Sequence, residues 1–228
     1  MLIEIMKGKT MDTNAEYYRY VNEFKVSTVR SIFGEPESCI TKIECVTTGT
    51  DSRVDSLDHH GNIIAKASFS IVKNQHMGEY FSWLDLLDVT WESARYMELF
   101  KDNETLTQEV TKKFERLGLD PTDLDSFFTI DRLEMIPKYR GLGITEGIIE
   151  EALDMFSARI PWIALVPFPM QFEREQSGET DPSWQQRLSL NLLPQVKDVA
   201  VTKLEDYAVR NGFTKVEGNI FVKPNDYL

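Results

Sequence analysis

A strand, a bend that contains glycine and a helix follow one another in the second half of the chain. Residues 127–136 (FFTIDRLEMI) predict a buried strand ending at Pro137, and residues 144–158 predict an amphipathic helix. Between them, Gly141 and Gly143 lack a Cβ, so the backbone can come close to a ligand. The helix that follows begins with unpaired N–H groups and a positive dipole end. This order predicts a cradle for a phosphate group.

The charge of the whole chain opposes an anion site, so such a site has to be local. Lys and Arg number 25 against 37 Asp and Glu, which gives a net charge of −12 with His neutral. This balance argues against a nucleic-acid binder, because affinity for phosphate backbones needs a basic surface. Lys138 and Arg140 place positive charge at the mouth of the predicted cradle. For a partner, the acidic balance favours a cationic or small polar molecule.

The rest of the chain predicts an α+β protein with a mixed, mostly antiparallel sheet flanked by helices. Residues 14–33 predict a helical arm within an N-terminal segment 1–36, because aromatic and apolar residues recur at roughly helical intervals. One domain is expected over 37–228. Its predicted elements are a β meander over 39–72 with a turn at DHHGN, helices within 84–118, a strand at 162–169, a polar surface loop over 170–194, a helix over 199–211 and a final strand or hairpin over 213–223.

Cysteine, histidine and apolar content exclude several classes of protein. Cys39 and Cys45 form no CxxC motif, so we expect free thiols and neither a disulfide framework nor a zinc site. His59 and His60 stand in the predicted turn and are interpreted as polar loop residues; no metal is expected. The chain has no signal-like segment and no run of about 18 apolar residues, so we expect a cytoplasmic protein with no membrane contact.

Two nucleotide-binding fingerprints fit the bend poorly. A phosphate-loop NTPase requires GxxxxGK[ST], which the sequence lacks. A dinucleotide fingerprint places its first glycine directly after the strand and its third glycine three residues beyond the second. Here residues 137–140 separate the strand from Gly141, and position 146 is Glu. An NAD(P)-dependent oxidoreductase is therefore kept only as an alternative.

The segment LEMIPKYRGLGITEGIIEEAL resembles the acetyl-CoA-binding signature of the GCN5-related N-acetyltransferase (GNAT) family, in which a strand and a V-x-P-like turn lead to R-x-x-G-x-G/A and a helix. KLEDYAVRNGF resembles the later helix and Gly-Phe turn of that family, so the resemblance covers about residues 127–223. It implies the GNAT acyl-CoA N-acyltransferase fold, with residues 84–118 as a helical insertion before the cofactor-binding strand. It also implies acetyl transfer from acetyl-CoA to a primary amine, by direct attack in a ternary complex.

The resemblance further implies which residues bind the cofactor. The N–H groups from Arg140 to Thr145 would hold the CoA pyrophosphate. The pantetheine would meet the backbone near Met135 and Pro137, in a gap between strands 127–136 and 162–168. The expected oxyanion donor is the N–H of Met135. The cofactor-binding residues implied are Met135, Ile136, Pro137, Lys138, Arg140, Gly141, Leu142, Gly143, Ile144 and Thr145.

Three residues are candidates for proton transfer. Asp131 and Glu134 are three apart on the predicted strand and so are expected on opposite faces, with Asp131 ranked first as the base. By the family pattern the acid would be a tyrosine at the position of Ala208, whereas the sequence has Tyr207 one place earlier. One residue turns a helix by about 100°, so the two positions face different ways.

Each of these assignments has a non-catalytic alternative. The two carboxylates could be solvated or paired with Arg132, and Tyr207 could belong to the core. An inactive CoA-binding or protein-interaction module is a further alternative, since Ala208 and Thr145 both depart from the family pattern. Trp184, inside the polar loop, could cover an acceptor. The amine acceptor is unidentified, and the oligomeric state stays open, with a homodimer as one option.

Overall fold

The structure, a computed structural model, describes residues 6–7, 18–28, 36–51, 62–76, 79–102, 104–122, 124–173 and 181–226. In chain order their strands are β1 (Met6–Lys7), β2 (Tyr18–Thr28), β3 (Ile40–Asp51), β4 (Asn62–Lys73), β5 (Gln75–His76), β6 (Glu79–Tyr80), β7 (Ser126–Met135), β8 (Trp162–Leu165), β9 (Thr214–Glu217) and β10 (Ile220–Pro224). Their α-helices are α1 (Trp83–Leu87), α2 (Trp91–Ala94), α3 (Gln108–Arg116), α4 (Ile144–Phe156), α5 (Pro182–Leu188) and α6 (Lys197–Arg210). Short 3₁₀ turns occur at Pro36–Cys39, Met97–Leu99, Pro137–Tyr139, Met170–Phe172 and Leu190–Leu192.

One eight-stranded sheet organises these elements, in the order β1-β2-β3-β4-β7-β8-β10-β9. Neighbouring strands are antiparallel throughout, except that β7 and β8 run parallel. A separate short pair joins β5 to β6. The prediction of an α+β protein with a mostly antiparallel sheet flanked by helices is confirmed.

Helices cover both faces of the sheet. On one face, α4 and α6 pack over a core that includes Phe69, Phe128, Ile148, Ala152 and Ala208. On the other face, α1 and α3 enclose a second, more aromatic core that includes Trp83, Phe114, Phe127 and Trp162. The rings of Phe127 and Trp162 stack there, with their centroids 4.4 Å apart. Because β7 contributes to both cores, it is buried on two sides and forms the centre of the molecule.

The predicted N-terminal helix is wrong where the structure describes it. Tyr18–Thr28 is the 11-residue strand β2, and it pairs with β3 along its whole length. Tyr20 and Phe24 are buried while Glu23 and Lys25 are exposed, which is the alternation of a strand. Aromatic residues favour strands, and pairing with β3 overrides the roughly helical spacing. Residues 14–17 and 29–33 lie outside the described residues.

The predicted polar loop over 170–194 contains a helix that the sequence analysis missed. Its signals are local: Pro182 occupies the first turn of α5, and the side chain of Asp181 accepts a hydrogen bond from the N–H of Ser183. The predicted strand over 162–169 ends earlier, at Leu165. Residues 58–61 of the predicted DHHGN turn, with both of its histidines, lie outside the described residues.

The other predicted elements of the second half are confirmed. They are the strand β7, the helices α4 and α6, and the C-terminal hairpin of β9 and β10. The predicted helical insertion over 84–118 contains α2 and α3, and α1 begins one residue before it. None of the helices among the described residues is long and apolar enough to cross a membrane.

Candidate functional site

The parallel strands β7 and β8 pair over a short stretch and then separate. Their partners are Phe128 with Ile163, Thr129 with Ala164, and Ile130 with Leu165. Beyond this point β8 ends, whereas β7 continues for five residues to Met135. A gap therefore opens in the middle of the sheet, beside the second half of β7.

Backbone groups of β7 face this gap. The N–H of Ile136 donates to the carbonyl oxygen of Ile64, next to β4, at 3.0 Å. In an antiparallel ladder, hydrogen-bonded and non-hydrogen-bonded positions alternate. Met135, which lies opposite Ala65, therefore directs its N–H and its carbonyl away from β4. The N–H expected from the sequence to serve as oxyanion donor thus points into the gap.

A β-bulge lies in β7 where the gap begins. Ser68 of β4 pairs with Arg132, but the next residue, Phe69, pairs with Ile130. Asp131 is the extra residue of the bulge. Bulges interrupt the alternation of side chains and re-aim those that follow.

The bulge overturns the expectation that the two strand carboxylates lie on opposite faces. Asp131 accepts a hydrogen bond from Ser70, and Glu134 lies opposite Lys66. Ser70 and Lys66 are four residues apart on β4 and therefore share a face. Asp131 and Glu134 thus lie on one face of the sheet, the face on which α1 and α3 pack. Without β4 as a reference, the sequence of β7 could not reveal this shift in register.

Asp131 has the properties of a proton acceptor. The Ser70 hydroxyl donates to its Oδ2 at 2.5 Å, and the Thr129 hydroxyl donates to its Oδ1 at 2.7 Å. Burial nevertheless raises the pKa of Asp131 to about 6, and the nearby Glu92 carboxylate contributes in the same direction. A carboxyl group that titrates near neutral pH suits general base catalysis.

Glu134 is held by two donors. Arg132 Nε donates to its Oε1 at 2.6 Å, and the indole N–H of Trp184 donates to its Oε2 at 2.5 Å. Arg132 also pairs with Glu173 at 2.8 Å. The pairing with Arg132 that the sequence left open is therefore present. Because both oxygens of Glu134 are occupied, this residue is better placed to organise the site than to remove a proton.

The bend between β7 and α4 has open space beside it. Gly141 and Gly143 have φ of 76° and 77°, a left-handed conformation that favours glycine. A Cβ added at either position would meet no atom within 4 Å. Gly143 is the N-cap of α4 and has no side chain to accept the first N–H groups. The first helical hydrogen bond runs from Gly147 to Gly143, so the N–H groups of residues 144–146 have no partner within the helix.

Arg140 has a different role from the one predicted for it. Instead of standing free at the mouth, its Nε donates to the carbonyl of Met135 at 2.9 Å and its Nη2 donates to the carbonyl of Leu188 at 2.6 Å. The guanidinium therefore ties the end of β7 to the C-terminal end of α5. Lys138 is exposed, and its ammonium lies 5.4 Å from the centre of the Tyr139 ring.

Six of the predicted site residues line one cavity, which we call the gap cavity. It has a volume of about 430 Å³ and lies where β7 and β8 separate. Most of the other residues around it are apolar. The predicted residues on its wall are Asp131, Glu134, Met135, Arg140, Thr145 and Tyr207. Of the remaining ones, Ile136, Leu142 and Ile144 pack against the core on the α4 side, and Pro137, Lys138, Gly141 and Gly143 form the bend.

A second, larger cavity adjoins the first. This outer cavity has a volume of about 1330 Å³ and lies over β3 and β4, between α2 and α5. Ten residues line both cavities, among them Ser68, Glu92, Arg95, Arg132 and Glu134. A molecule in the outer cavity could therefore reach one bound in the gap.

The helix α6 directs Tyr207, and not Ala208, toward the gap cavity. Ala208 is buried in the core. The Tyr207 hydroxyl is buried beside the Glu146 carboxylate. Burial raises its pKa, and the Glu146 carboxylate raises it further. Tyr207 is therefore protonated at neutral pH.

Trp184 is buried, so it is a wall of the outer cavity and not a mobile cover. Lys66 and Arg187 lie over its ring, at 4.7 Å and 5.3 Å from the ring centre. Arg187 also donates to the carbonyl of Ile63. The helix α5 is thus fixed to the sheet by its own side chains.

Metal and thiol chemistry have little support in the described part of the chain. Among these residues, no group of three or more His, Cys, Asp or Glu side chains could hold a metal ion. Cys39 and Cys45 are buried free thiols, as the sequence predicted. Burial raises the pKa of Cys45 to about 12, so this thiol is a poor nucleophile.

No protein-family model matches the chain, and a search of the curated proteins finds no match.

Proposed function

We propose that this protein is an N-acetyltransferase with the GNAT fold, which transfers the acetyl group of acetyl-CoA to a primary amine. One observation carries the proposal: β7 and β8 separate beside a bulged carboxylate, directly before an open glycine bend and a helix N-terminus. A long, thin donor with a phosphate end fits such a gap.

The sheet supports the family assignment. The resemblance implies a gap between strands 127–136 and 162–168, and the parallel pairing of β7 with β8 stops at Ile130 and Leu165. The helical insertion implied before the cofactor-binding strand corresponds to α1, α2 and α3. These features are consistent with the GNAT fold.

Each part of the donor has a matching group in the site. The pyrophosphate would lie at the bend, against the N–H groups of residues 140–145, where the positive end of α4 attracts an anion. The pantetheine would lie in the gap, which has largely apolar walls. The thioester carbonyl would accept a hydrogen bond from the N–H of Met135, and Asp131 lies further along β7 toward the closed end of the gap.

The chemistry needs one proton acceptor and one proton donor. Asp131 takes a proton from the ammonium of the acceptor, directly or through water, and the free amine attacks the thioester carbonyl. A C–N bond forms, and the Met135 N–H stabilises the oxyanion. The C–S bond then breaks as Tyr207 gives its proton to the departing thiolate. The nitrogen releases its second proton through water, and this proton returns Tyr207 to its neutral form. The products are an amide and free CoA.

Calorimetry and a thiol-release assay test this proposal. The purified protein is titrated with acetyl-CoA, CoA and NADPH in parallel, and free thiol is then followed with acetyl-CoA and a panel of primary amines. We expect acetyl-CoA to bind and thiol release to depend on the amine. Acetyl-CoA binding without turnover would indicate an inactive CoA-binding module. Binding of NADPH with no response to acetyl-CoA would favour an oxidoreductase and end the proposal.

A further inference from the structure

Arg95, directly after α2, lies close to two aromatic rings and lines both cavities. Its guanidinium carbon is 5.7 Å from the ring centre of Trp91 and 5.7 Å from that of Phe168. Trp91 is 70% exposed and Phe168 is 38% exposed, so both rings reach the surface. Aromatic contacts use the face of a guanidinium and leave its in-plane N–H donors available.

Within the described part of the chain, no side chain or carbonyl accepts a hydrogen bond from Arg95, and no carboxylate forms an ion pair with it. The other arginines of this region differ. Arg132 pairs with Glu134 and Glu173, and Arg140 and Arg187 donate to backbone carbonyls. Arg95 is half-buried, and its N–H donors are available to a ligand at the cavity wall.

Resting on the function proposed above, we propose that Arg95 binds an anionic group of the acceptor, so that the acceptor is a small primary amine that also bears a carboxylate or a phosphate. Both groups match the planar fork of a guanidinium. This class differs from the cationic acceptor that the net charge favours. The local arrangement outweighs the net charge because screening limits long-range fields to about 10 Å.

The opposite charge needed for the ammonium end is also present. Glu92, one turn before Arg95 on α2, lines both cavities and lies close enough to Asp131 to raise its pKa. Glu92 makes no ion pair with another described residue. An acceptor with an anion on Arg95 would therefore direct its ammonium past Glu92 toward Asp131.

Arg95 is poorly placed to bind the donor's phosphates. The bend and α4 lie with the core that contains Ile144 and Ile148. The residue after Arg95, Tyr96, belongs to the core on the other face of the sheet. Arg95 therefore approaches the gap cavity, whose wall it shares with Arg140, from the face opposite the bend, and this position suits the acceptor.

Two matched pairs of probes test the inference, both by thiol release at saturating acetyl-CoA and by direct calorimetry on the protein. The pairs are L-phenylalanine with L-phenylalaninamide, and phosphoethanolamine with ethanolamine. Within at least one pair we expect the anionic member to be preferred about tenfold or more, the loss typical of a missing charged hydrogen-bond partner. The two pairs distinguish a carboxylate from a phosphate acceptor.

Variants connect the preference to Arg95. In Arg95→Gln we expect KM and Kd for the preferred anionic probe to rise about tenfold or more, with kcat and acetyl-CoA affinity unchanged and the neutral probe unaffected. Arg95→Lys keeps the charge but lacks the planar fork of a guanidinium, so its KM and Kd for the anionic probe should lie between those of the parent and of Arg95→Gln. Arg116→Gln, a change at an exposed arginine of α3, serves as the control and should match the parent.

Four results would overturn the inference. The neutral probes could bind as well as the anionic ones, or neither member of either pair could bind. Arg95→Gln could weaken both members of a pair equally, which would indicate a structural role. It could instead weaken acetyl-CoA binding, which would place Arg95 at the donor. Failure of acetyl-CoA to bind the parent protein would end the proposed function, whereas calorimetry with the probes would still decide whether Arg95 holds an anion.

Discussion

The indole N–H of Trp184 donates to the carboxylate of Glu134, 50 residues earlier in the chain. The other oxygen of this carboxylate accepts a hydrogen bond from Arg132 at 2.6 Å. At its C-terminal end, α5 is bound a second time, where Leu188 accepts a hydrogen bond from Arg140. These contacts hold α5 against β7 where the gap cavity and the outer cavity meet. The shape of both cavities therefore depends on this helix.

We expect Trp184→Phe to lower the free energy of unfolding by about 1–3 kcal/mol. The substitution removes a hydrogen bond to a buried charged acceptor and leaves Glu134 with Arg132 alone. Urea unfolding measures the loss. Trp91→Phe is the matched control, because Trp91 is 70% exposed and has no such bond, and it should change stability by less than about 0.5 kcal/mol. Equal losses in the two variants would show that the bond to Glu134 contributes little.

We expect Gly143→Asp to abolish acetyl-CoA binding. The substitution places a negative charge in the open space beside the bend, where the donor's pyrophosphate would lie. The left-handed backbone adds a cost of about 1 kcal/mol to stability, which is independent of the ligand. Gly118→Asp is the control, since Gly118 has a φ of 74° and equally open surroundings but lies just beyond the end of α3.

Calorimetry with acetyl-CoA compares the two glycine variants, and urea unfolding confirms that both are folded. If Gly143→Asp binds acetyl-CoA as well as Gly118→Asp does, the pyrophosphate does not lie at the bend.

The raised pKa of Asp131 should make the free energy of unfolding decrease as pH rises. The pKa of this group is about 6 in the folded protein against an ordinary value of 3.8, so the unfolded chain releases the proton first as pH rises. The free energy of unfolding then falls by about 3 kcal/mol between about pH 4 and pH 6, as this difference in pKa requires, and stays level above pH 6. Asp131→Asn cannot titrate and should lack this part of the decrease. Urea unfolding of parent and variant at pH 4, 5, 6 and 7 gives the difference between the two curves.

Asp102 should change the free energy of unfolding with pH in the opposite direction. The backbone N–H groups of Glu104 and Thr105 and the Thr105 hydroxyl donate to its carboxylate, and they lower the pKa of this exposed group below its ordinary 3.8. Its stabilisation is present above that value and is lost as pH falls through the lower one. Asp102→Asn should therefore differ from the parent only above its folded pKa, whereas the contribution of Asp131 lies between pH 4 and pH 6. If the free energies of unfolding of the parent and of Asp131→Asn change equally with pH, the pKa of Asp131 is not raised in the folded protein.

Tyr207→Phe should separate catalysis from stability. The Tyr207 hydroxyl is buried beside the Glu146 carboxylate, so its removal should change the free energy of unfolding by about 1 kcal/mol or less. If Tyr207 protonates the departing thiolate, kcat should fall by about 10²–10⁴-fold with little change in the affinity for acetyl-CoA. Tyr20→Phe is the control, because the Tyr20 hydroxyl is buried too but belongs to β2 and lines neither cavity. Similar kcat values in the two variants would remove Tyr207 as the acid.

Local signals predicted the part of the fold that forms the proposed cofactor site. The run of apolar residues in β7, Pro137, the two bend glycines and the apolar face of α4 all lie within about 30 consecutive residues, and each constrains its own backbone. The same kind of signal at Asp181 and Pro182 marks the start of α5. The polar composition around it favoured a loop, so the helix was missed. In β2 the spacing of aromatic residues fitted a helix, and the partner strand β3 decided the outcome.

The orientation of site residues depended on neighbours distant in sequence. The bulge at Asp131 exists only in the pairing of β7 with β4, and it moved Glu134 to the same face as Asp131. The packing of α6 turned Tyr207, and not Ala208, toward the gap cavity. Contact with α5 converted Arg140 from a free cation into a bridge to Leu188.

The amino-acid sequence by itself therefore determined the strand, the bend and the helix of the proposed cofactor site, and the free state of both cysteines. Backbone preferences and hydrophobic periodicity act over a few residues and can be read in order along the chain. Only the tertiary structure decided which side chains meet in the two cavities, because register, helix rotation and burial arise from contacts between segments that the sequence keeps far apart.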